Sequence, residues 1–140
     1  MIKFKKLDPC ALIPRRATEG SAGFDIYAWG GGGIERDQQE IIETRIACQL
    51  PKGFCFQIWP RSGLAVESGI HVMAGLIDSD YTGEIKVCLR NMGREIFWYS
   101  SKDRIAQLVP VKIDVDLAVS EVDDLFESGR GDGGFGHTGR

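Results

Sequence analysis

The sequence predicts an all-β fold, a compact barrel or sandwich. Three observations carry that prediction: apolar runs of four to eight residues, turn residues between them at regular intervals, and almost no helical periodicity. The runs are Ile2 to Leu7, Phe24 to Ala28, Ile41 to Cys48, Phe54 to Trp59, Ile85 to Leu89, Ile96 to Tyr99, Ile105 to Val111 and Ile113 to Val119. Alternation is clearest where Phe54, Phe56 and Ile58 share one side. It recurs where Ile113, Val115, Leu117 and Val119 are interleaved with Lys112, Asp114 and Asp116. Turns are expected at Gly30 to Gly33, Pro51-Lys52-Gly53 and Asn91-Met92-Gly93, and one short helix at Gly63 to Ser68. Between Val72-Met73-Ala74 and the alternating Glu84 to Arg90, a β-hairpin is predicted with a five-residue tip.

A chain of 140 residues fits one domain with a real core. A net charge of −3 argues against a general nucleic-acid or anionic-membrane surface, which needs a basic face. The four cysteines, Cys10, Cys48, Cys55 and Cys88, form no CxxC pair, and with two histidines they give a structural zinc site no support. Reduced thiols are expected. Neither end resembles a secretion signal, and no apolar run approaches the ~18 residues of a membrane span. A soluble, cytoplasmic protein is the expectation.

The chemistry concentrates in five places. In Gly75-Leu76-Ile77-Asp78-Ser79-Asp80-Tyr81-Thr82-Gly83-Glu84 a hydrophobic run stops at two acids and an aromatic. Asp78 there suits a general base acting on water, and Tyr81 suits a flat surface against a sugar. Taken alone, Asp78 reads better as a turn residue, because Asp-containing turns are common. Pro60-Arg61-Ser62-Gly63-Leu64-Ala65 joins a strand to the short helix. Arg61 offers a planar fork, Ser62 a hydroxyl, and Gly63 close access to backbone N–H groups, which together suit an anion. A turn with a surface arginine is the equal alternative.

Asp25, in Ala22-Gly23-Phe24-Asp25-Ile26-Tyr27-Ala28, is a carboxylate in an apolar strand and needs a partner or a task. Gln107, in Asp103-Arg104-Ile105-Ala106-Gln107-Leu108, is a second polar group on a strand expected to be mostly buried. The Gly30 to Gly33 run reads as a surface loop, since no Gly-Lys-Ser/Thr or long helix follows it. From Ser128 to Arg140 the chain has six glycines and one large apolar side chain, so it is expected to be mobile until something binds. Residues 1–127 then form the barrel and 128–140 a lid, in which Arg130 supplies a cation and Phe135 a stacking ring. A loose terminus with no role is the competing reading.

In this order the segments resemble the five motifs of the trimeric deoxyuridine triphosphate nucleotidohydrolases, the dUTPases, the fifth being Arg130-Gly131-Asp132-Gly133-Gly134-Phe135-Gly136-His137-Thr138-Gly139. The resemblance implies a jelly-roll-like β-barrel with a flexible Gly-rich C-terminal tail, a homotrimer with active sites shared between subunits, and hydrolysis of dUTP to dUMP and pyrophosphate with Mg²⁺ on the triphosphate. Such an activity limits uracil incorporation into DNA and supplies dUMP for thymidylate synthesis. By motif, Asp78 would activate the water and Tyr81 would pack under the deoxyribose. Gly75, Leu76, Ile77 and Lys86 would read the uracil edge. Arg61, Ser62, Gly63 and Gln107 would hold phosphates, and Asp25 would reach the metal through water. Phe135 would stack on uracil, with Arg130, Gly136, His137 and Thr138 closing over the sugar-phosphate end.

Three positions depart from the family pattern: Lys102 stands where glycine is common, Met73 sits near the expected uracil pocket, and Gly30 to Gly33 has no counterpart. Two rival functions remain open at this point. One is a deoxycytidine triphosphate deaminase of the same barrel and trimer. The other is a non-catalytic nucleotide-binding module.

Overall fold

A computed structural model describes residues 1–133. Within them the chain forms β1 (Lys3–Lys6), β2 (Phe24–Tyr27), β3 (Gly32–Ile34), β4 (Gln39–Gln49), β5 (Phe54–Trp59), α1 (Ser62–Ser68), β6 (Ile70–Ala74), β7 (Leu76–Ile77), β8 (Glu84–Asn91), β9 (Phe97–Tyr99) and β10 (Arg104–Lys112). Two four-stranded antiparallel sheets, ordered β1-β4-β8-β6 and β2-β10-β5-β7, enclose the core as a jelly-roll-like barrel, and β3 pairs with β9 as a separate ribbon. No helix among the described residues is long and apolar enough to cross a membrane.

Alternation explains the inward faces. On β8, Ile85, Val87, Leu89 and Asn91 are buried while Lys86 is exposed, and they meet Ile26, Phe56, Ile58 and Leu108 of the opposite sheet. The rings of Phe4, Phe24 and Phe56 close one end, with centroids 6.0–6.3 Å apart. Asn91 is the buried polar exception. Its Nδ2 donates to the carbonyls of Ile34 and Glu95, and its Oδ1 accepts the Gly93 N–H, so one amide ties the β8–β9 turn to β3.

Four sequence expectations change. Ile113 to Val119 is not a strand: the chain leaves β10 at Lys112, Asp114 turns it by accepting the Asp116 N–H, and Leu117 and Val119 are 75% and 98% exposed. Alternation makes a strand only where a sheet edge and a core are available, and this chain's two sheets fill their core without it.

The Gly30 to Gly33 run is only partly a loop, because Gly32 and Gly33 pair with Tyr99 and Trp98. A Cβ on Gly33 would lie 2.7 Å from the Trp98 ring, and one on Gly32 would lie 2.6 Å from the Tyr99 hydroxyl. The aromatic side chains of β9 cover the bare backbone that glycine leaves.

The predicted hairpin is an excursion. Ala74 and Cys88 pair within the first sheet, but Leu76 and Ile77 cross over and pair with Gln57 and Phe56 in the second. Gly75 makes the crossing: its carbonyl accepts the Ile58 N–H at 2.7 Å, and a Cβ there would lie 2.9 Å from the Ile58 oxygen. Met73 is half-exposed on β6 and does not line the pocket described below.

Lys102 keeps the conformation that suits glycine, with φ 73°. The turn holds it there: the Lys102 N–H donates to the Ala28 carbonyl, and the Ser100 N–H to Asp103 Oδ2. Lys102→Gly is expected to raise the unfolding free energy by about 0.5–1 kcal/mol, because relief of the left-handed strain exceeds the added chain entropy. A urea midpoint at fixed protein concentration reads this, and an unchanged or lower midpoint refutes it.

Candidate active site

The crossing at Gly75 delivers Leu76, Ile77, Asp78 and Tyr81 to one pocket of about 250 Å³, whose remaining wall is Glu84 and Lys86 of β8. Asp78 begins a tight turn, closed by the Tyr81 N–H donating to the Asp78 carbonyl at 3.2 Å, and its carboxylate is exposed at the pocket. The same turn sets the ring of Tyr81. Its hydroxyl donates to the Glu84 carbonyl at 2.8 Å, and a Cβ on Gly83 would lie 2.7 Å from that hydroxyl, so Gly83 leaves the room it needs. The pocket therefore has a fixed aromatic wall, two aliphatic residues whose backbone continues a sheet, the Lys86 ammonium, and two carboxylates, of which Glu84 is engaged by Arg45. Such a site can hold a flat ring by its edge and put a proton acceptor next to it.

A second cluster lies at the end of β5. Asp25 is buried on β2, opposite Gln107 of β10, and both its oxygens are engaged: Oδ1 lies 3.4 Å from Arg61 Nε and Oδ2 3.3 Å from Arg104 Nη1. Two guanidinium groups supply the partners that a buried carboxylate requires. Arg61 also donates to the Arg104 carbonyl at 3.2 Å, and Gln107 Nε2 donates to the Pro60 carbonyl at 3.0 Å, which fixes the turn before the helix. Arg61 is the N-cap of α1 and makes no capping bond with its side chain, while Ser62 and Gly63 are exposed on the first turn. The cluster presents two arginines and an uncapped helix start, a surface suited to phosphate oxygens.

The structure thus brings Leu76, Ile77, Asp78, Tyr81 and Lys86 together, with Gly75 immediately before them. It brings Asp25, Arg61 and Gln107 together beside Ser62 and Gly63. Within one chain the pocket's lining includes no member of the second group. Arg130 reaches neither: its Nε donates to the Gly133 carbonyl at 2.7 Å in an exposed local turn. Phe135, Gly136, His137 and Thr138 lie outside the described residues.

Two participants escaped the sequence reading. Arg104 stands on Asp25 because β10 is irregular between Arg104 and Ala106, a register that no local pattern encodes. Glu84 was visible only as the end of a predicted hairpin. Among the described residues no three His, Cys, Asp or Glu side chains are grouped to hold a metal ion.

The chain matches the dUTPase family model over residues 10–139. It is 42% identical over 139 residues to the deoxyuridine 5'-triphosphate nucleotidohydrolase of Saccharomyces cerevisiae, an alignment covering 99% of this chain and 95% of the yeast protein. Among solved structures it is similar to a mutant dUTPase of Staphylococcus bacteriophage 80alpha with dUpNHpp, at TM-score 0.90 and 24% identity over 100% of this chain and 99% of that one. It is also similar to a mutant dUTPase from phage phi11 of S. aureus that coordinates a structural Mg(II) ion, at TM-score 0.82 and 21% identity over 89% of this chain and 97% of that one. The two phage structures carry the likeness of fold.

Proposed function

This chain belongs to the dUTPase family, and from that premise we propose that it hydrolyses dUTP to dUMP and pyrophosphate in the pocket between Asp78 and Tyr81. The observation that carries the reading is the shared pocket: a carboxylate and a hydrogen-bonded aromatic ring on one turn, beside the edge strand Leu76–Ile77. The backbone from Gly75 to Ile77 and the Lys86 side chain meet the edge of uracil. Tyr81 lies against the deoxyribose and leaves no space for a 2′-hydroxyl. Asp78 takes a proton from the attacking water as its oxygen bonds to the α-phosphorus. The bond from that phosphorus to the bridging oxygen breaks, and pyrophosphate leaves.

Arg61, Ser62, Gly63 and Gln107 take the phosphates. Because one chain keeps them out of the Asp78 pocket, we assign the complete site to a homotrimer in which different subunits supply the two halves. The exposed apolar side chains of Leu117, Val119, Leu125 and Phe126 support such an assembly, since they have no core of their own to enter. Phe135 stacks on uracil, and Arg130, Gly136, His137 and Thr138 close the site.

Mg²⁺ fits this donor set. Asp25 is occupied by two arginines, and so it suits contact through water with an ion that keeps its waters and binds substrate phosphates rather than a protein cage. When bound, the ion would offset phosphate charge and orient the triphosphate.

A panel of the common dNTPs and UTP, with pyrophosphate and ammonia measured together, tests the reading. Pyrophosphate from dUTP, with UTP slower by about a hundredfold or more, is expected from a sugar site with no room for the extra hydroxyl. Ammonia from dCTP with dUTP untouched would establish the deaminase instead. Tight dUTP binding without turnover, with Mg²⁺ present, would establish a binding module.

A further inference from the structure

Four charged side chains, Lys86, Glu43, Arg45 and Glu84, form a line whose two ends lie in the pocket wall, and the reaction proposed above uses only Lys86. Lys86 and Glu84 are two residues apart on β8, so they share a face, and both line the pocket. Opposite charges so placed are set to join across the opening. Among the described residues they do not, because each is held from β4. Glu43 Oε1 lies 3.5 Å from Lys86 Nζ, and Glu43 Oε2 lies 2.7 Å from Arg45 Nη2. Arg45 Nη1 lies 3.7 Å from Glu84 Oε2, and the Arg45 backbone N–H donates to Glu84 Oε1 at 2.8 Å.

The backbone is shaped for this. The β4–β8 ladder slips between Glu43 and Ala47, and Arg45 sits in the left-handed region at φ 53°. The bulge is fixed on every side: the Trp29 N–H donates to the Glu43 carbonyl, the Leu7 N–H to the Arg45 carbonyl, and Thr44 Oγ1 to the Ile85 carbonyl. The Arg45 guanidinium also lies 4.9 Å over the Trp29 ring. Glycine would adopt that backbone without strain. A strained arginine whose charge bridges two carboxylates indicates that its side chain has a task there.

We infer that Glu43 and Arg45 are positioning residues for the base-and-sugar pocket. They hold the Lys86 ammonium and the Glu84 carboxylate apart, so that Lys86 stays at the wall and the pocket stays open to a neutral, hydrogen-bonding ring. The inference rests on the reading of this pocket as the nucleotide site. Removing Glu43 frees Lys86, and removing the Arg45 side chain frees Glu84 Oε2, so either change lets the two join and obstruct substrate entry while the groups that perform hydrolysis are untouched.

The test is dUTP kinetics on the full chain with Arg45→Gly and Glu43→Gln. Arg45→Gly keeps the N–H to Glu84 and relieves the strain, so the melting temperature is expected not to fall. For both variants KM is expected to rise about fivefold with kcat within about twofold of the wild type, the signature of weakened ground-state binding. The double variant is expected to be no worse than the weaker single, since the two act in one line. Unchanged KM in both variants overturns the inference, as does a loss that tracks a lowered melting temperature. A wild-type protein that leaves dUTP intact refutes the underlying reading instead, so the two failures are distinguishable.

Discussion

Asp78→Asn is expected to lower turnover of dUTP by about a thousandfold, within the range assigned to a positioned general base. Binding of a non-hydrolysable dUTP analogue is expected to change by no more than about threefold. The reasoning is geometric. Asp78 makes the turn through its carbonyl, which accepts the Tyr81 N–H, and the side chain is exposed at the pocket. An amide therefore preserves the turn and the pocket shape while removing proton affinity. Single-turnover kinetics with a parallel binding titration check both halves. Equal losses in binding and turnover would make Asp78 a structural residue and remove the proposed base.

Deleting residues 129–140 is expected to leave a folded trimer whose turnover is lower by about a hundredfold, the scale of effect when a substrate is no longer held in place. Among the described residues no strand of either sheet lies beyond Lys112, and the described part of the tail bonds only to itself, as in the Arg130 to Gly133 turn. Nothing in the barrel's hydrogen bonding among the described residues therefore depends on residues 129–133. Light scattering and far-UV circular dichroism establish the folded trimer, and pyrophosphate release gives the rate. A truncated chain that unfolds or becomes monomeric overturns the division into barrel and lid.

The parts of this fold that were legible in the sequence are those with a local cause. Phe54 to Trp59 reads as a strand because its alternating side chains enter a core that exists, and the helix begins where the apolar strand pattern stops at Pro60. Ile113 to Val119 has an equally good pattern and is no strand, because a pattern states which side must be covered and not what covers it. The glycines at 32 and 33 looked like loop residues for a related reason. Their partners are the aromatic side chains of β9, 65 and more residues away, which reads as coincidence until the strands are paired.

The site divides along the same line. Asp78, Tyr81 and the residues just before them announce themselves as a cluster of unlike chemistry in ten residues. Their meaning came from the resemblance to a family, since the residues alone favoured a turn. Arg104 on Asp25, and Glu43 and Arg45 behind the pocket, depend on irregular registers at two places in the ladders. A bulge is set by the balance of many contacts, and no short stretch of sequence spells it.

The crossing at Gly75 bears on how the pocket can move. Its carbonyl and the Ile58 N–H join the pocket wall to an interior strand of the second sheet, while Ala74 on one side and Glu84 on the other belong to the first. The wall cannot swing out as a flap without parting a bond in the barrel's interior. Opening of this wall therefore requires local unfolding of the β5–β7 pairing and is slower than the motion of a free loop.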